Sequence, residues 1–413
     1  MSNKTLWRPY TPMGSPPDLL SIVDTQGPYL TLADGKHLLD AVGSWWTCIH
    51  GYRPAPIIEA MHTQLDTVPH VMLGGCHHPV TYSLVNALAE IAPADLNKVF
   101  LCDSGSISVE VAMKMAIQHF ANQGQSQRRR FVSFYNGYHG DTFGAMSVCD
   151  PEEGMHQLFA GVFPEQFIQS LPTTPESLSA LEACLERHHQ EIAGMIVEPL
   201  LQGAGGMQLY SPAVLTTLRA LCDRYGILLI ADEIFTGFGR LGQWWACDIA
   251  KVSPDIMCVG KGLTAGVISL AATLCSEKVF APFDSSDPNK ALMHGPTYMG
   301  NPLACSAALA NIDYMRRIDW QSQVSSLEQA LHEMLLPAQK HPAVKSIRTK
   351  GAMGVIELNQ APPSWHSVQT FAISQGVWLR PFGNIIYTTP PYNLTPTQCD
   401  KITHIMIKSL DHL

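Results

Sequence analysis

The chain has 413 residues, of which 46% are hydrophobic and 15% charged, with a formal charge of −9 at pH 7. That length suits two or three domains with a full core, and the acidic balance excludes general nucleic-acid binding, which needs a basic face. The charged fraction is below the roughly 25% of ordinary soluble domains, which implies a large interior, a large subunit interface, or both.

Residues 1–10 carry no apolar run of a signal peptide, and the uncharged, apolar stretch around 262–276 is too short and glycine-broken for a membrane span. Eleven cysteines, an odd number with no CxxC pair, read as free thiols in a reducing compartment. The expectation is a cytoplasmic protein with no membrane and no nucleic-acid partner. Residues 1–42 are turn-rich, with short strands at 30–32 and 38–39, and are expected to pack with a small C-terminal domain. From 43 to 316, apolar runs of four to eight residues recur at 99–102, 131–134, 194–198, 227–232, 255–259 and 268–274. Near-continuous apolar character fits parallel strands buried on both faces. Between them, 108–120 and 211–225 read as helices, the second with Ser211 as N-cap, Pro212 at the first helical position and Gly226 as its stop. Strand–helix alternation predicts an α/β fold, with a mostly parallel sheet in a large domain at 43–316. At 317–413 the character becomes α+β. The stretch 311–339 reads as helix, 344–358 and 377–389 as strands, and Thr395-Pro396 opens a last helix with Ile402, Ile405, Met406 and Leu410.

In open parallel sheets, ligands bind outside the carboxyl ends of the strands. Those ends carry Glu198, Asp232-Glu233, Gly260-Lys261 and Asp103-Ser104-Gly105-Ser106, the last just before a helix. This set suits pyridoxal phosphate: Lys261 for a Schiff base, Asp232 for the ring nitrogen, and Gly105 with Ser106 at a helix N-terminus for the phosphate. Taken singly, such a lysine is ordinarily a solvated loop residue and such an aspartate a cap; the combination is much rarer than its parts.

The segments Asp103-Ser104-Gly105-Ser106, Asn136-Gly137-Tyr138-His139-Gly140-Asp141, Asp232-Glu233-Ile234-Phe235-Thr236-Gly237-Phe238-Gly239-Arg240, Gly260-Lys261-Gly262 and His294-Gly295-Pro296-Thr297-Tyr298-Met299-Gly300-Asn301 stand in the order and spacing of one family. By them the chain resembles the class III, fold-type I pyridoxal-phosphate aminotransferases. Trp7-Arg8-Pro9-Tyr10-Thr11, Ser44-Trp45-Trp46, His50-Gly51-Tyr52, the run from Asp141 to Pro151 and Trp378-Leu379-Arg380-Pro381-Phe382-Gly383 resemble the biotin-pathway branch of that family. The resemblance covers nearly the whole chain. It implies a homodimer that moves an amino group from S-adenosylmethionine to 8-amino-7-oxononanoate in two half-reactions at one site. It further implies that Tyr138 stacks on the cofactor ring, that Pro296 and Thr297 reach the phosphate of the neighbouring subunit, and that Trp45 and Trp46 wall the substrate chain. Arg380 would pair with the substrate carboxylate, Tyr10, Asp141, Gly295 and Tyr387 would complete the pocket, and Arg240 would assist charge balance. Asp103 and Ser106 stand where the broad family has Asn and Thr, and 262–269 is less glycine-rich than expected.

Three rivals stay open at this point: a class III transaminase with another donor, such as lysine, or another amine–ketone pair; a nicotinamide dehydrogenase; and a non-catalytic cofactor-binding dimer. The dehydrogenase rests on Gly237-Phe238-Gly239-Arg240-Leu241-Gly242, which matches GxGxxG but lacks the strand-to-helix context that motif requires. Cys76-His77-His78 and His188-His189 read as loop or surface residues, with no metal-ligand spacing. Arg128-Arg129-Arg130 reads as a solvated connector, and Trp244-Trp245 as interface.

Overall fold

Residues along the central strands alternate between two apolar clusters, so each strand is buried on both faces. Met195, Val197, Leu229, Ala231, Met257 and Val259 pack on one side, and Ala193, Ile196, Leu228, Ile230, Ile256 and Cys258 on the other, the period-two pattern of a covered sheet. The computed structural model describes residues 5–14, 18–93, 95–151, 157–159 and 161–413. Part of the 1–10 stretch and part of the 1–42 segment thus lie outside the described residues. The sheet has seven strands in the spatial order Lys98–Cys102, Ala271–Cys275, Ile256–Val259, Leu228–Asp232, Ile192–Val197, Arg130–Phe134 and Phe167–Gln169. Five of the strands, Ile256–Val259 through Phe167–Gln169, run parallel to one another, but Ala271–Cys275 is antiparallel to both of its neighbours. Reading 268–274 as one more parallel strand is therefore corrected: a strand covered on both faces is apolar throughout whichever way it runs.

The helix Gly105–Ala121 begins at Ser104, whose side chain accepts the Ile107 N–H. Pro212–Tyr225 is capped by Ser211 and closed by Gly226 in a left-handed conformation. The span 311–339 divides into Pro302–Arg317 and Trp320–Leu335, because Asp319 accepts the Ser322 N–H and starts a new helix. A short helical turn, Leu336–Lys340, follows. The 344–358 span is a hairpin of Val344–Thr349 and Gly354–Leu358, the second strand pairing with Ile385–Thr388. At its turn Gly351 has φ +54, and a Cβ there would lie 2.2 Å from the Arg240 carbonyl oxygen. The 377–389 span is likewise broken, into Val377–Trp378 and Ile385–Thr388. His37–Asp40, the last strand of an N-terminal meander, pairs in parallel with Val377–Trp378. The final helix Pro396–Lys408 opens on a Thr395–Gln398 capping box and buries Ile402, Ile405 and Met406. Among the described residues no helix is long and apolar enough to cross a membrane.

Candidate active site

Two neighbouring strands deliver a carboxylate and an amine to one rim. Leu228–Asp232 ends on Asp232, in register with Cys258 of the adjacent strand, which runs on through Gly260 into Lys261. Lys261 itself has φ +43, a conformation that costs a non-glycine residue about 1–2 kcal/mol and turns the chain sharply out of the sheet. Its Nζ lies 4.6 Å from the centre of the Trp46 ring and 5.6 Å from that of Phe235. Burial lowers the pKa of this amine, against the opposing pull of Asp232 and Glu198. Asp232 is buried; its Oδ2 lies 2.7 Å from His139 Nδ1, and its Oδ1 accepts the Ile234 N–H at 3.1 Å. A carboxylate out of water needs such partners to stay charged.

The segment after strand Arg130–Phe134 brings Tyr138, His139, Gly140 and Asp141 across the start of helix Gly105–Ala121. Ser106 Oγ accepts the Asp141 N–H at 3.1 Å. Gly140, at φ +130, has no room for a side chain: a Cβ would stand 2.2 Å from that same oxygen. Tyr10 and Tyr138 both donate to Asp141, at 2.5 and 2.9 Å. Burial, with the Asp141 carboxylate beside it, pushes Tyr10 up to about 12. Glu198 is buried and accepts the Tyr138 N–H and the Gly203 N–H, each at 3.0 Å, while burial raises it to about 7. The backbone N–H groups of Gly105 and Ser106 sit in the first helical turn, where a helix supplies no partner of its own and attracts anions.

Gly43, Ser44, Trp45 and Trp46 have φ of 55, 47, 65 and 77, four successive left-handed residues of which only the first is glycine. Strain of this kind persists only where the surroundings over-determine it. Here the turn splits its tryptophans between two ends of a cleft. Trp46 is buried, its ring 4.3 Å from Phe235, and its Nε1–H donates to Tyr387 Oη at 3.2 Å. Trp45 is partly exposed, with the Arg380 guanidinium 3.9 Å above its ring and Tyr10 at 6.0 Å. Arg240 is buried and donates to the carbonyls of Ala352, Pro390 and Trp46 at 3.1, 3.2 and 3.3 Å. It thus holds backbone, including the end of the tryptophan turn.

Lys261, Asp232, Tyr138, Ser106, Asp141, Tyr10, Trp45, Trp46, Arg380 and Tyr387 are therefore linked by direct contacts or shared partners, with Gly105 next to Ser106. Gly295, Pro296 and Thr297 are not joined to them. Their loop lies between His294, which contacts Lys114, and Tyr298, whose ring is 4.6 Å from His70; Thr297 is exposed. The GxGxxG segment is followed only by the five-residue helix Ala246–Ala250. Trp245 is not an interface residue: it is fully buried in its own subunit and donates to the Ile91 carbonyl. His78 Nδ1 caps helix Pro79–Ile91, and His188 pairs with Glu191. Sequence reasoning gave no role to His139 or Phe235, although both stand in quoted motifs, and it left Glu198 as a strand end. It passed over Asp40 entirely, since a lone aspartate before a turn carries no signal of its own.

A lysine and an aspartate at adjacent strand ends, beside a helix N-terminus and under aromatic cover, define an aminotransferase-type site, and the chain belongs to the aminotransferase class-III family, whose profile matches residues 10–410. It is 43% identical to the adenosylmethionine-8-amino-7-oxononanoate aminotransferase of Mycobacterium leprae, over 98% of this chain and 94% of that protein. The crystal structure of the Methanocaldococcus jannaschii protein of the same name superposes with a TM-score of 0.94 at 33% identity, covering 99% of this chain and 97% of that one. An amine transaminase from an uncultivated Pseudomonas species, in its PLP-bound form, gives 0.89 at 32% identity, covering 100% and 98%.

Proposed function

We propose that the protein is the biotin-pathway transaminase, transferring an amino group from S-adenosylmethionine to 8-amino-7-oxononanoate to give 7,8-diaminononanoate. The observation that carries this reading is the pair of adjacent tryptophans: Trp46 lies beside the Lys261 amine and Trp45 lies beneath the Arg380 guanidinium. The cleft thus has a reactive end and an anion-holding end joined by apolar wall, which matches a ketone on an apolar chain that ends in a carboxylate. The names of the relatives support the same assignment.

The donor set fits pyridoxal 5'-phosphate: a buried amine, a buried carboxylate one strand away, and a helix start with outward N–H groups. When bound, that cofactor supplies a carbonyl that accepts an amino group and a ring that withdraws electrons. Asp232, held by His139, would be the carboxylate partner of the ring nitrogen and favour its protonated form. Gly105 and Ser106 would hold the phosphate at their helix start, with Pro296 and Thr297 contributed by the partner subunit of a homodimer. Tyr138, its place set by Glu198 through the backbone, would lie against the ring. Lys261, whose lowered pKa makes its neutral form accessible, would hold and move the proton at the substrate α-carbon. Arg380 holds the distal carboxylate in a planar two-pronged contact, while Tyr10, Asp141, Gly295 and Tyr387 close the pocket and Trp45 with Trp46 exclude water. The domain division is 1–42, packing with the small domain, then 43–316 and 317–413; the seven-stranded sheet lies wholly within 43–316, and His37–Asp40 shares a sheet with Val377–Trp378, which supports this division. Eleven free thiols support a cytoplasmic, reducing setting.

The test is a donor screen on the purified holoenzyme that follows formation of the aminated cofactor by absorbance and the diamine by mass. S-adenosylmethionine should aminate the cofactor, and 8-amino-7-oxononanoate should discharge it. A cofactor aminated by lysine and not by S-adenosylmethionine would replace the donor, and failure of the ketone to discharge it would remove the assignment.

A further inference from the structure

The turn that carries both tryptophans is held from outside the cleft by one buried carboxylate. Asp40 Oδ1 accepts the Val42 N–H at 2.9 Å, and Oδ2 accepts the Ser44 N–H at 2.7 Å and the Tyr52 hydroxyl at 2.6 Å. Asp40 is 1% exposed and touches neither Lys261 nor Arg380 in these contacts. The far side of the turn is closed by other elements: Thr389 Oγ1 donates to the Val42 carbonyl at 3.2 Å, and Arg240 holds the Trp46 carbonyl. Gly43 lies so close to the chain just after strand Ile385–Thr388 that a Cβ would stand 2.9 Å from the Thr389 carbonyl oxygen. Three consecutive non-glycine residues at positive φ would relax toward ordinary backbone if released. Relaxation would swing Trp45 and Trp46 relative to each other, because adjacent side chains on such a turn diverge by the turn's own rotation.

We infer that Asp40, with Tyr52 as its partner, is a positioning residue for substrate selection: by fixing the left-handed turn Gly43–Trp46 it sets the span between the Trp46 wall beside Lys261 and the Trp45 shelf under Arg380. This rests on the proposed function for the identity of the substrate, a ketone with a distal carboxylate. An aspartate that merely caps a loop would support folding without selecting among substrates, and the two roles differ in what they change.

In Asp40→Asn the amide nitrogen replaces one carboxylate oxygen and faces either the Val42 N–H or the Ser44 N–H, so one donor meets another donor. The KM for 8-amino-7-oxononanoate should rise about tenfold or more, the loss of one charge-assisted contact, while visible absorbance of the bound cofactor is unchanged. Near-ultraviolet circular dichroism of the holoenzyme should change with the far-ultraviolet spectrum intact, and the change should vanish in a Trp45→Phe, Trp46→Phe background. Tyr52→Phe, which keeps the carboxylate, should give the same signs at smaller size and decides the matter if Asp40→Asn does not fold. Unchanged KM and unchanged near-ultraviolet spectra overturn the inference, as does parallel loss of cofactor, donor and acceptor, which marks a purely structural role. Should the wild-type enzyme not use this ketone, the proposed function fails, while the tryptophan spectra still judge the clamp.

Discussion

Lys261 combines three features that ordinary lysines lack: a left-handed backbone, cover by Trp46 and Phe235, and a carboxylate on the next strand. Replacing it with Ala removes the proton carrier, and turnover should fall by about 10²–10⁴-fold or more, read in single-turnover absorbance on each half-reaction. Arg380 lies at the other end of the cleft and acts on binding. Arg380→Ala should weaken the ketone by about 1.5–3 kcal/mol, roughly tenfold to more than a hundredfold, with a smaller loss for the amino donor. Stopped-flow titration of the two half-reactions checks this; an unchanged ketone affinity would place the carboxylate elsewhere. At this scale the sequence was informative where chemistry demands a residue type at a strand end, as for Asp232 and Lys261. It gave His139 and Asp40 no role and Glu198 only a place at a strand end, because these act through hydrogen bonds to other residues, and no spacing in the chain encodes a partner 93 residues away.

Single elements fix how these side chains are held. Glu233 follows Asp232 out of the same strand and is fully buried; it accepts the Cys247 N–H at 2.8 Å and the Thr236 hydroxyl, tying the sheet to helix Ala246–Ala250. Burial raises it to about 7, against those hydrogen bonds. A carboxyl raised in the folded state contributes stability that is complete below its unfolded pKa and is lost as pH rises through the folded value. Between pH ~4.5 and ~7 that loss comes to about 3 kcal/mol. Glu233→Gln should therefore flatten the fall in Tm across this window, measured by calorimetry at several pH values; an equal slope in both proteins would show that the group is ionised throughout. The elements themselves were largely readable. Pro212 and Gly226 bounded one helix and Thr395-Pro396 opened another. The direction of Ala271–Cys275 was not readable, and neither were the breaks at Asp319 and Gly351, which depend on a cap and on a close approach to Arg240.

The whole molecule raises the question of where the cofactor's phosphate is completed. Thr297 is exposed and unlinked to the Lys261 cleft within one chain, as a residue serving a neighbour's site would be. Under the proposed homodimer, with Thr297 serving the neighbour's site, a dimer of one Lys261→Ala and one Thr297→Ala subunit would have one site with both defects and one with neither. An equal mixture of the two variants, dissociated and reassembled, should thus regain intact sites in about a quarter of positions by simple pairing statistics. Assay at limiting cofactor, where Thr297→Ala alone is weak, reads the gain. No recovery would mean that Thr297 serves its own chain.

The floor under the tryptophan turn comes from the far end of the chain: Thr388 Oγ1 donates to the Ala41 carbonyl across 347 residues, and Val377–Trp378 completes the sheet begun by His37–Asp40. During synthesis the stretch that bears both tryptophans is made more than 300 residues before its floor, and it cannot be seated until Val377–Thr388 has been added. Contacts this distant in sequence form late. The nascent chain must therefore carry this apolar-rich turn unfinished while the whole central sheet is made, and a chain interrupted before Val377 would have a built central sheet and no working cleft.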